Sequence, residues 1–264
     1  MLIKLAVLFL TPLLSGLSIF FVPKGKNSSF KLLLVFAGAY LFGITIIHIL
    51  PELYRQSGSY EWIGLFVLGG FFLQQLLEYF TSGIEHGHLH SHGHDHSHNH
   101  DHHHHHHFDQ TQQSVSAIVL LIALCVHAFL EGGMLAQPQM TFGGTHNDQN
   151  AILLGIALHR APAAFALMTV LAFQLKSRKK ALPHLLVFSI AAPAGLLLST
   201  YLANEEILTA SGMIALNALV SGNFLHISTT IVFESSPEHR FNAKKMAVAV
   251  VGALLAVVVE QMMH

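Results

Sequence analysis

Eight apolar stretches restrict the fold of this chain more than any other feature of its sequence. Each is close to the length of about 20 residues that a helix needs to cross the hydrocarbon of a bilayer. Of the 264 residues, 52% are hydrophobic and only 10% are charged, which is typical of an integral membrane protein. The pattern predicts an all-α membrane protein with eight transmembrane helices. The predicted spans are 2–22, 30–50, 62–81, 115–136, 151–174, 182–203, 207–233 and 246–263.

Only one connection between the predicted spans is long, and it divides the chain. Residues 1–81 contain spans one to three, residues 82–114 form a histidine-rich loop, and residues 115–264 contain spans four to eight. We expect the two helical parts to form a single membrane domain. The first stretch is longer than the apolar part of a secretory signal and lacks a small-residue cleavage site, so it is interpreted as a retained span.

Basic residues indicate the orientation of the spans. Ten of the 13 lysines and arginines lie in the first, third, fifth and seventh loops, whereas the other loops contain only Arg55. Because basic loops stay in the cytoplasm, both termini are predicted to be extracytoplasmic and the histidine-rich loop cytoplasmic. We expect a multi-pass protein of the cell membrane, either plasma or inner. The few basic residues form no patch, which argues against a nucleic-acid partner.

Ionisable side chains in the fourth and fifth spans form the strongest candidate site. His127 and Glu131 are four residues apart, so a helix places both on one face. The fifth span contributes His159 and Arg160, and three donors would converge if the two helices face each other. Such residues are rare in hydrocarbon and usually border a polar pathway. The alternative for a single histidine is a hydrogen bond to a neighbouring helix.

The long loop has a metal-binding composition. Imidazole is a common ligand for zinc, copper and nickel, and a segment with so little to bury does not fold alone. Six consecutive histidines suggest a purification tag as an alternative, but the alternating run before them and the internal position favour a natural loop that buffers or senses metal. These histidines are His86, His88, His90, His92, His94, His96, His98, His100, His102, His103, His104, His105, His106 and His107.

Four more polar residues lie near the ends of a proposed route. His48 and Glu52 close the second span near its outer mouth, where Pro51 is expected to end the helix. Asn223 and His226 lie three residues apart on one face of the seventh span, toward the cytoplasm. In the third span, by contrast, the polar side chains are interpreted as reaching toward the polar surface rather than lining the route. They are Gln74, Gln75 and Glu78.

Together these residues resemble the ZIP (Zrt- and Irt-like) family of metal transporters over nearly the whole chain. The motifs that carry the resemblance are His48-x-Leu50-Pro51-Glu52, His127-x-x-x-Glu131-Gly132, His159-x-x-Pro162 and Gly222-x-Phe224-Leu225. The resemblance implies a 3+2+3 bundle of spans that transports zinc, iron or related divalent cations toward the cytoplasm, commonly as a homodimer. It implies no enzyme activity and no organic cofactor.

Three positions depart from what the resemblance implies for a site with two adjacent metals. An asparagine, an acid and a bridging glutamate are expected where this chain has Ala128, Arg160 and Ala163. Arginine is always cationic, so Arg160 can pair with Glu131 in place of a second ion. We therefore predict a site for one metal made of His127, Glu131 and His159, completed by water or a backbone oxygen. Zn²⁺ suits these donors, and Fe²⁺, Mn²⁺, Co²⁺ or Cd²⁺ could enter.

Other functions remain open at this point. A weak site beside Arg160 favours rapid release and turnover, but transport could also be lost, which would leave a metal sensor that does not transport. An intramembrane zinc-dependent hydrolase would use the same three ligands to activate water, although no second carboxylate lies nearby in the sequence. An efflux carrier of the cation diffusion facilitator type would be expected to have six spans and intramembrane aspartates.

Overall fold

A computed structural model of the chain describes residues 1–21, 28–56, 60–81, 117–136, 146–234 and 243–263. Every regular element in these ranges is helical, which confirms the all-α prediction for the part of the chain described. A short 3₁₀ turn, Ser18–Phe20, follows the first helix. The helices are α1 Leu2–Leu17, α2 Ser28–Ile44, α3 Leu50–Gln56, α4 Tyr60–Thr81, α5 Ala117–Met134, α6 His146–Gln174, α7 Arg178–Asn204, α8 Ala210–Glu234 and α9 Ala243–Met263.

Seven helical segments in these ranges are long and apolar enough to cross a membrane. They are Leu2–Phe20, Leu32–Gln56, Trp62–Phe80, Asn150–Gln174, Arg178–Asn204, Ala210–Ile231 and Ala243–Met262. The apolar part of α5, Ile118–Met134, is shorter than these seven, and residues 115 and 116 of the predicted fourth span lie outside the described ranges. The eighth span therefore remains a prediction.

Pro51 does not end the second spanning segment, so that expectation was wrong. The chain passes from α2 through a π-helical turn, Thr45–Ile49, directly into α3. Proline has no N–H to donate to the carbonyl of Ile47, and its ring would clash with that carbonyl in a regular α-helix. The wider π turn accommodates this conflict. The helix continues to Gln56 and carries His48 within the turn.

The helices pack in two groups of four. The first group contains α1, α5, α6 and α7, in which the closest pairs are α1 with α6 and α5 with α7. The second group contains α2, α4, α8 and α9, in which α4 packs on α8 and α2 packs on α9. The two groups meet mainly where α2 contacts α6 and where α5 contacts α4 and α8. The closest packing partners are thus not neighbours in sequence.

Burial follows from this arrangement. Most residues in the segments of α2, α6 and α8 are buried, whereas few residues of α4 and α9 are. Most exposed residues of these outer helices are nevertheless apolar, for example Phe72, Val251 and Leu254. A helix that is apolar all round while one side is exposed matches a span that faces lipid.

Two glycines allow the backbones of α5 and α7 to touch. A Cβ on Gly132 would lie 2.0 Å from the carbonyl oxygen of Ala192, and a Cβ on Gly195 would lie 2.0 Å from that of Phe129. Any larger residue would force the helices apart, because these contacts are with backbone rather than with a flexible side chain. The contact fixes α7 directly beside Glu131.

Cationic side chains link helix ends within the first group. Lys4 near the start of α1 donates a hydrogen bond from Nζ to the carbonyl of Leu135 just after α5, at 3.1 Å. Arg178 at the start of α7 donates from Nη1 to the carbonyl of Ile19 after α1, at 2.8 Å. Both acceptor carbonyls lie at the C-terminal end of a helix, where carbonyls lack intrahelical donors and attract positive charge.

Candidate metal centre

His127 and Glu131 form a buried pair on one face of α5. The imidazole Nε2 lies 2.9 Å from the carboxylate Oε1, and the side chains are 5% and 0% exposed. The four-residue spacing produces this contact, because one helical turn stacks the two side chains. A carboxylate in such a place needs compensating charge or hydrogen bonds, since burying an isolated charge is costly.

His159 on α6 approaches the same place from the facing helix. Its ring lies edge-on to that of His127, with centroids 6.0 Å apart and an interplanar angle of 89°. One nitrogen of each histidine and one oxygen of Glu131 lie within 4.8 Å of one another. Bonds of about 2.0–2.2 Å to a shared Zn²⁺ require a closer approach, so a bound cation would draw the three side chains together.

Arg160 lies on the other side of Glu131 and is also buried, with 1% of the residue exposed. Its Nε is 3.9 Å from Oε2 of Glu131. Its Nη2 donates a hydrogen bond to the carbonyl of Phe188 on α7 at 3.2 Å, and the guanidinium lies 5.0 Å from the centroid of the Phe188 ring. The carboxylate thus faces an imidazole on one oxygen and a permanent cation on the other.

Small apolar residues occupy the positions where the sequence resemblance implies further ligands. Ala128 is 1% exposed and Ala163 is 7% exposed, and neither has a side-chain donor atom. With Glu131 ionised and the histidines neutral, the charges of Glu131 and Arg160 cancel. The centre therefore offers three side-chain ligands and no net charge to a dication.

Pro162 affects the backbone next to His159. Proline lies inside α6 and has no N–H to donate to the carbonyl of Leu158, which directly precedes His159. Next to His159 in the chain, this carbonyl lacks the donor that a regular α-helix would supply. In the same turn, the carbonyl of Ala161 accepts a hydrogen bond from the hydroxyl of Ser15, which holds α1 against α6.

The predicted outer residues His48 and Glu52 do not pair with each other. His48 Nδ1 lies 3.0 Å from Oε2 of Glu260 on α9. Glu52 instead contacts Arg55 and accepts a hydrogen bond from Gln56, both on its own helix. Neither His48 nor Glu52 belongs to the cluster of three ligands on α5 and α6.

His226, predicted to lie toward the cytoplasm, pairs with Glu78, which was not expected to line the route. Its Nε2 lies 3.2 Å from Oε2 of Glu78 on α4, and Phe71 stacks on its ring with centroids 4.8 Å apart. Gln74 and Asn223 are fully buried. The interpretation of Gln74 and Glu78 as reaching toward the polar surface was therefore wrong. No sequence spacing indicates a pair of residues that are so far apart along the chain.

All 14 loop histidines, from His86 to His107, lie outside the described residues. Their role in binding metal stays a prediction from composition alone.

Comparison with known proteins adds a family to this geometry. A family model described as ZIP Zinc transporter matches residues 1–260. The chain is 34% identical to Zinc transporter ZIP9 of Xenopus tropicalis over 122 residues, which are 44% of this chain and 39% of that protein. It is 36% identical to Zinc transporter ZIP9 of Macaca fascicularis over 118 residues, 42% of this chain and 48% of that protein. Each match thus spans less than half of the relative.

Proposed function

This chain belongs to the ZIP zinc transporter family, and from that premise we propose that it carries a divalent metal ion, zinc in the first place, into the cytoplasm. The observation that supports this best is the buried cluster of His127, Glu131 and His159 on two facing helices. Two imidazole nitrogens and a carboxylate oxygen with an open position suit Zn²⁺. Fe²⁺, Mn²⁺, Co²⁺ and Cd²⁺ accept the same donors.

The site holds one ion, and Arg160 takes the place of a second. A second dication would need the carboxylates that Ala163 and Arg160 replace. The guanidinium lies 3.9 Å from Glu131, so this carboxylate keeps a counter-charge whether or not metal is bound. Without such a partner, a buried carboxylate would be strongly destabilising in the empty carrier.

Arg160 also makes binding reversible. An arriving dication meets a permanent positive charge in a region of low dielectric, where repulsion is larger than in water. The ion is therefore held less tightly than at a site with two carboxylates. Loose binding favours release, which a carrier needs in every cycle, and the open position accepts water or the carbonyl of Leu158.

The proposed membrane domain has eight spans, of which α5 is the fourth. In this arrangement the N-terminal end of α1 and the C-terminal end of α5 lie on the same side, outside the cytoplasm. The hydrogen bond from Lys4 to Leu135 joins these two ends and so supports this arrangement. His48 and Glu52 attract the ion outside, and Asn223 and His226 pass it to the cytoplasmic histidine loop. The carrier resides in the cell membrane as a homodimer. Each chain forms a single membrane domain and uses no organic cofactor.

Uptake of radioactive zinc into proteoliposomes tests the proposal. We expect the parent chain to take up zinc and Glu131→Ala to take up none, while Glu205→Gln, which changes an exposed carboxylate, behaves like the parent. Because Glu131→Ala leaves Arg160 buried without its counter-charge, the double variant Glu131→Gln with Arg160→Met provides a neutral version of the same site. Uptake by this double variant at the parent's rate would refute the assigned site.

The same measurement separates the other functions. Zinc binding without flux would indicate a sensor, and flux rules out a protein whose only activity is hydrolysis. Membership in a family of transporters favours flux.

A further inference from the structure

The second group of helices contains a close contact between α4 and α8. A Cβ on Gly70 would lie 1.8 Å from the carbonyl oxygen of Leu219, and a Cβ on Gly222 would lie 1.9 Å from that of Val67. The two backbones therefore touch, and side chains on the facing surfaces are brought together without lipid between them.

Glu78 and His226 meet at the end of this contact. Their side chains approach to 3.2 Å, and both are mostly buried, at 16% and 9% exposure. Phe71 stacks on the histidine ring at 21° to its plane. The ring is thus held with Nε2 directed at the carboxylate.

Two buried amides lie about one helical turn away from this pair. At one end of the interface Val67 meets Gly222 and Gly70 meets Leu219, and further along both helices Glu78 meets His226. Because later residues of α4 meet later residues of α8, the two helices run parallel. Gln74 precedes Glu78 by four residues and Asn223 precedes His226 by three, which places each amide on the same helix face as its neighbour.

Asn223 adds an unsatisfied buried amide one turn from the Glu78–His226 pair. Its side chain is fully buried, and neither Oδ1 nor Nδ2 has a hydrogen-bond partner within the described ranges. Leaving a buried polar group unsatisfied costs about 1–3 kcal/mol. Asn217 on the same helix also lacks partners among the described residues, but Asn223 is the one that lies within a turn of His226 on the same helix face. An amide oxygen is a good ligand for a divalent cation.

We propose that Glu78, His226 and Asn223 form a second divalent-cation site at the α4–α8 interface, with Gln74 as a further oxygen donor. A carboxylate, an imidazole and amide oxygens suit Zn²⁺, Mn²⁺ or Fe²⁺. Its role as a relay between the first centre and the cytoplasm rests on the proposed transport function. Binding at the site is a separate question and is tested separately.

Crystals of the full-length chain soaked in Cd²⁺ test the site through anomalous scattering, which locates each ion and so distinguishes it from ions on the histidine loop. We expect one anomalous peak among His127, Glu131 and His159, and a second between Glu78 and His226. The second peak alone would support this site and count against the first ligand set. Absence of the second peak overturns the inference, and if the first peak remains, the proposed function stands.

Two substitutions identify the ligands. Glu78→Gln should abolish the second peak and leave the first unchanged. Asn223→Ala should weaken the second peak, whereas Asn217→Ala should not. Asn217 is the matched control, because it lies on the same helix, is fully buried and also lacks hydrogen-bond partners among the described residues. It is six residues away, about 120° around α8. A second peak that persists at full height in Glu78→Gln contradicts the assignment.

Discussion

In the first helix group, the histidine and the carboxylate of the central pair come from one helix, whereas two histidine–carboxylate pairs among the described residues of the second group each join two helices. His127 and Glu131 share α5. Glu78 on α4 contacts His226 on α8, and His48 contacts Glu260 on α9. The distances within the three pairs are similar, from 2.9 to 3.2 Å. The first pair is held in place by the repeat of a single helix, and the other two by the packing of two helices.

The surroundings of the pairs differ as well. In the first group, Arg160 lies beside the carboxylate and is held by the carbonyl of Phe188. In the second group, the aromatic ring of Phe71 stacks on the imidazole of His226. A cation that enters the first centre always competes with a resident charge. We therefore expect the first group to decide which ion is accepted and released, and the second to pass it on.

Removing a carboxylate should destabilise the protein more at the pair of the first group than at a pair of the second. Glu131→Ala leaves Arg160 buried without its partner, and breaking a buried ion pair in this way costs about 3–5 kcal/mol. We expect a large fall in thermal stability in detergent, as well as the loss of uptake. Glu78→Gln keeps a polar group at a partly exposed position and should lower the melting temperature much less. Equal losses in both variants would remove the distinction between the two groups.

The helix contact beside the first centre gives the next largest effect. Gly132→Ala places a methyl group against the backbone of α7, and overpacking of this kind costs about 1–3 kcal/mol. A shift of α7 would also move the carbonyl that holds Arg160. We expect a lower melting temperature and slower zinc uptake. Gly69→Ala is the control, because a Cβ there meets no atom within 4 Å; comparable losses in the control would show that helical glycines in general are responsible.

Removing the resident charge should strengthen metal binding. Arg160→Met abolishes the repulsion between the guanidinium and the bound dication, so we expect zinc affinity at this centre to rise by about tenfold, or about 1.4 kcal/mol. Slower release should reduce maximal uptake at the same time. Arg160→Lys keeps the charge and should retain the parent's affinity. Affinity in Arg160→Met can be measured by competition with a chelator, and a decrease there would contradict the role assigned to Arg160.

The smallest effect is expected outside both groups. Replacing all loop histidines from His86 to His107 with serine leaves the helices and the first centre unchanged. Because the composition predicts that this segment does not fold alone, we expect the melting temperature to stay close to that of the parent. The initial rate of uptake at saturating zinc should stay within about twofold of the parent's. Loss of uptake in this variant would place the decisive site in the loop.

The sequence was informative wherever one helix determines the geometry. Apolar stretches of sufficient length predicted the helical segments, and the four-residue spacing predicted that His127 and Glu131 would meet. The prediction that Arg160 lies near Glu131 followed from its place next to His159 on the facing helix. These inferences depend on the helical repeat and on one assumption about which helices face each other.

Contacts between segments that are far apart in the chain could not be predicted from the helical repeat. The pairing of Glu78 with His226 depends on α4 packing against α8, and that of His48 with Glu260 joins residues 212 positions apart. Pro51 was expected to end a helix because a regular α-helix cannot accommodate it, but a π turn can. Which helices become partners depends on close backbone contacts such as that of Gly132 with Ala192, and local sequence does not reveal the opposite helix.

A structure of the full-length chain soaked in zinc tests the central claim most directly, through the number of ions around Glu131. The account predicts one zinc ion bound by His127, Glu131 and His159, with Arg160 still beside the carboxylate. Two zinc ions next to Arg160, both in contact with Glu131, would contradict it.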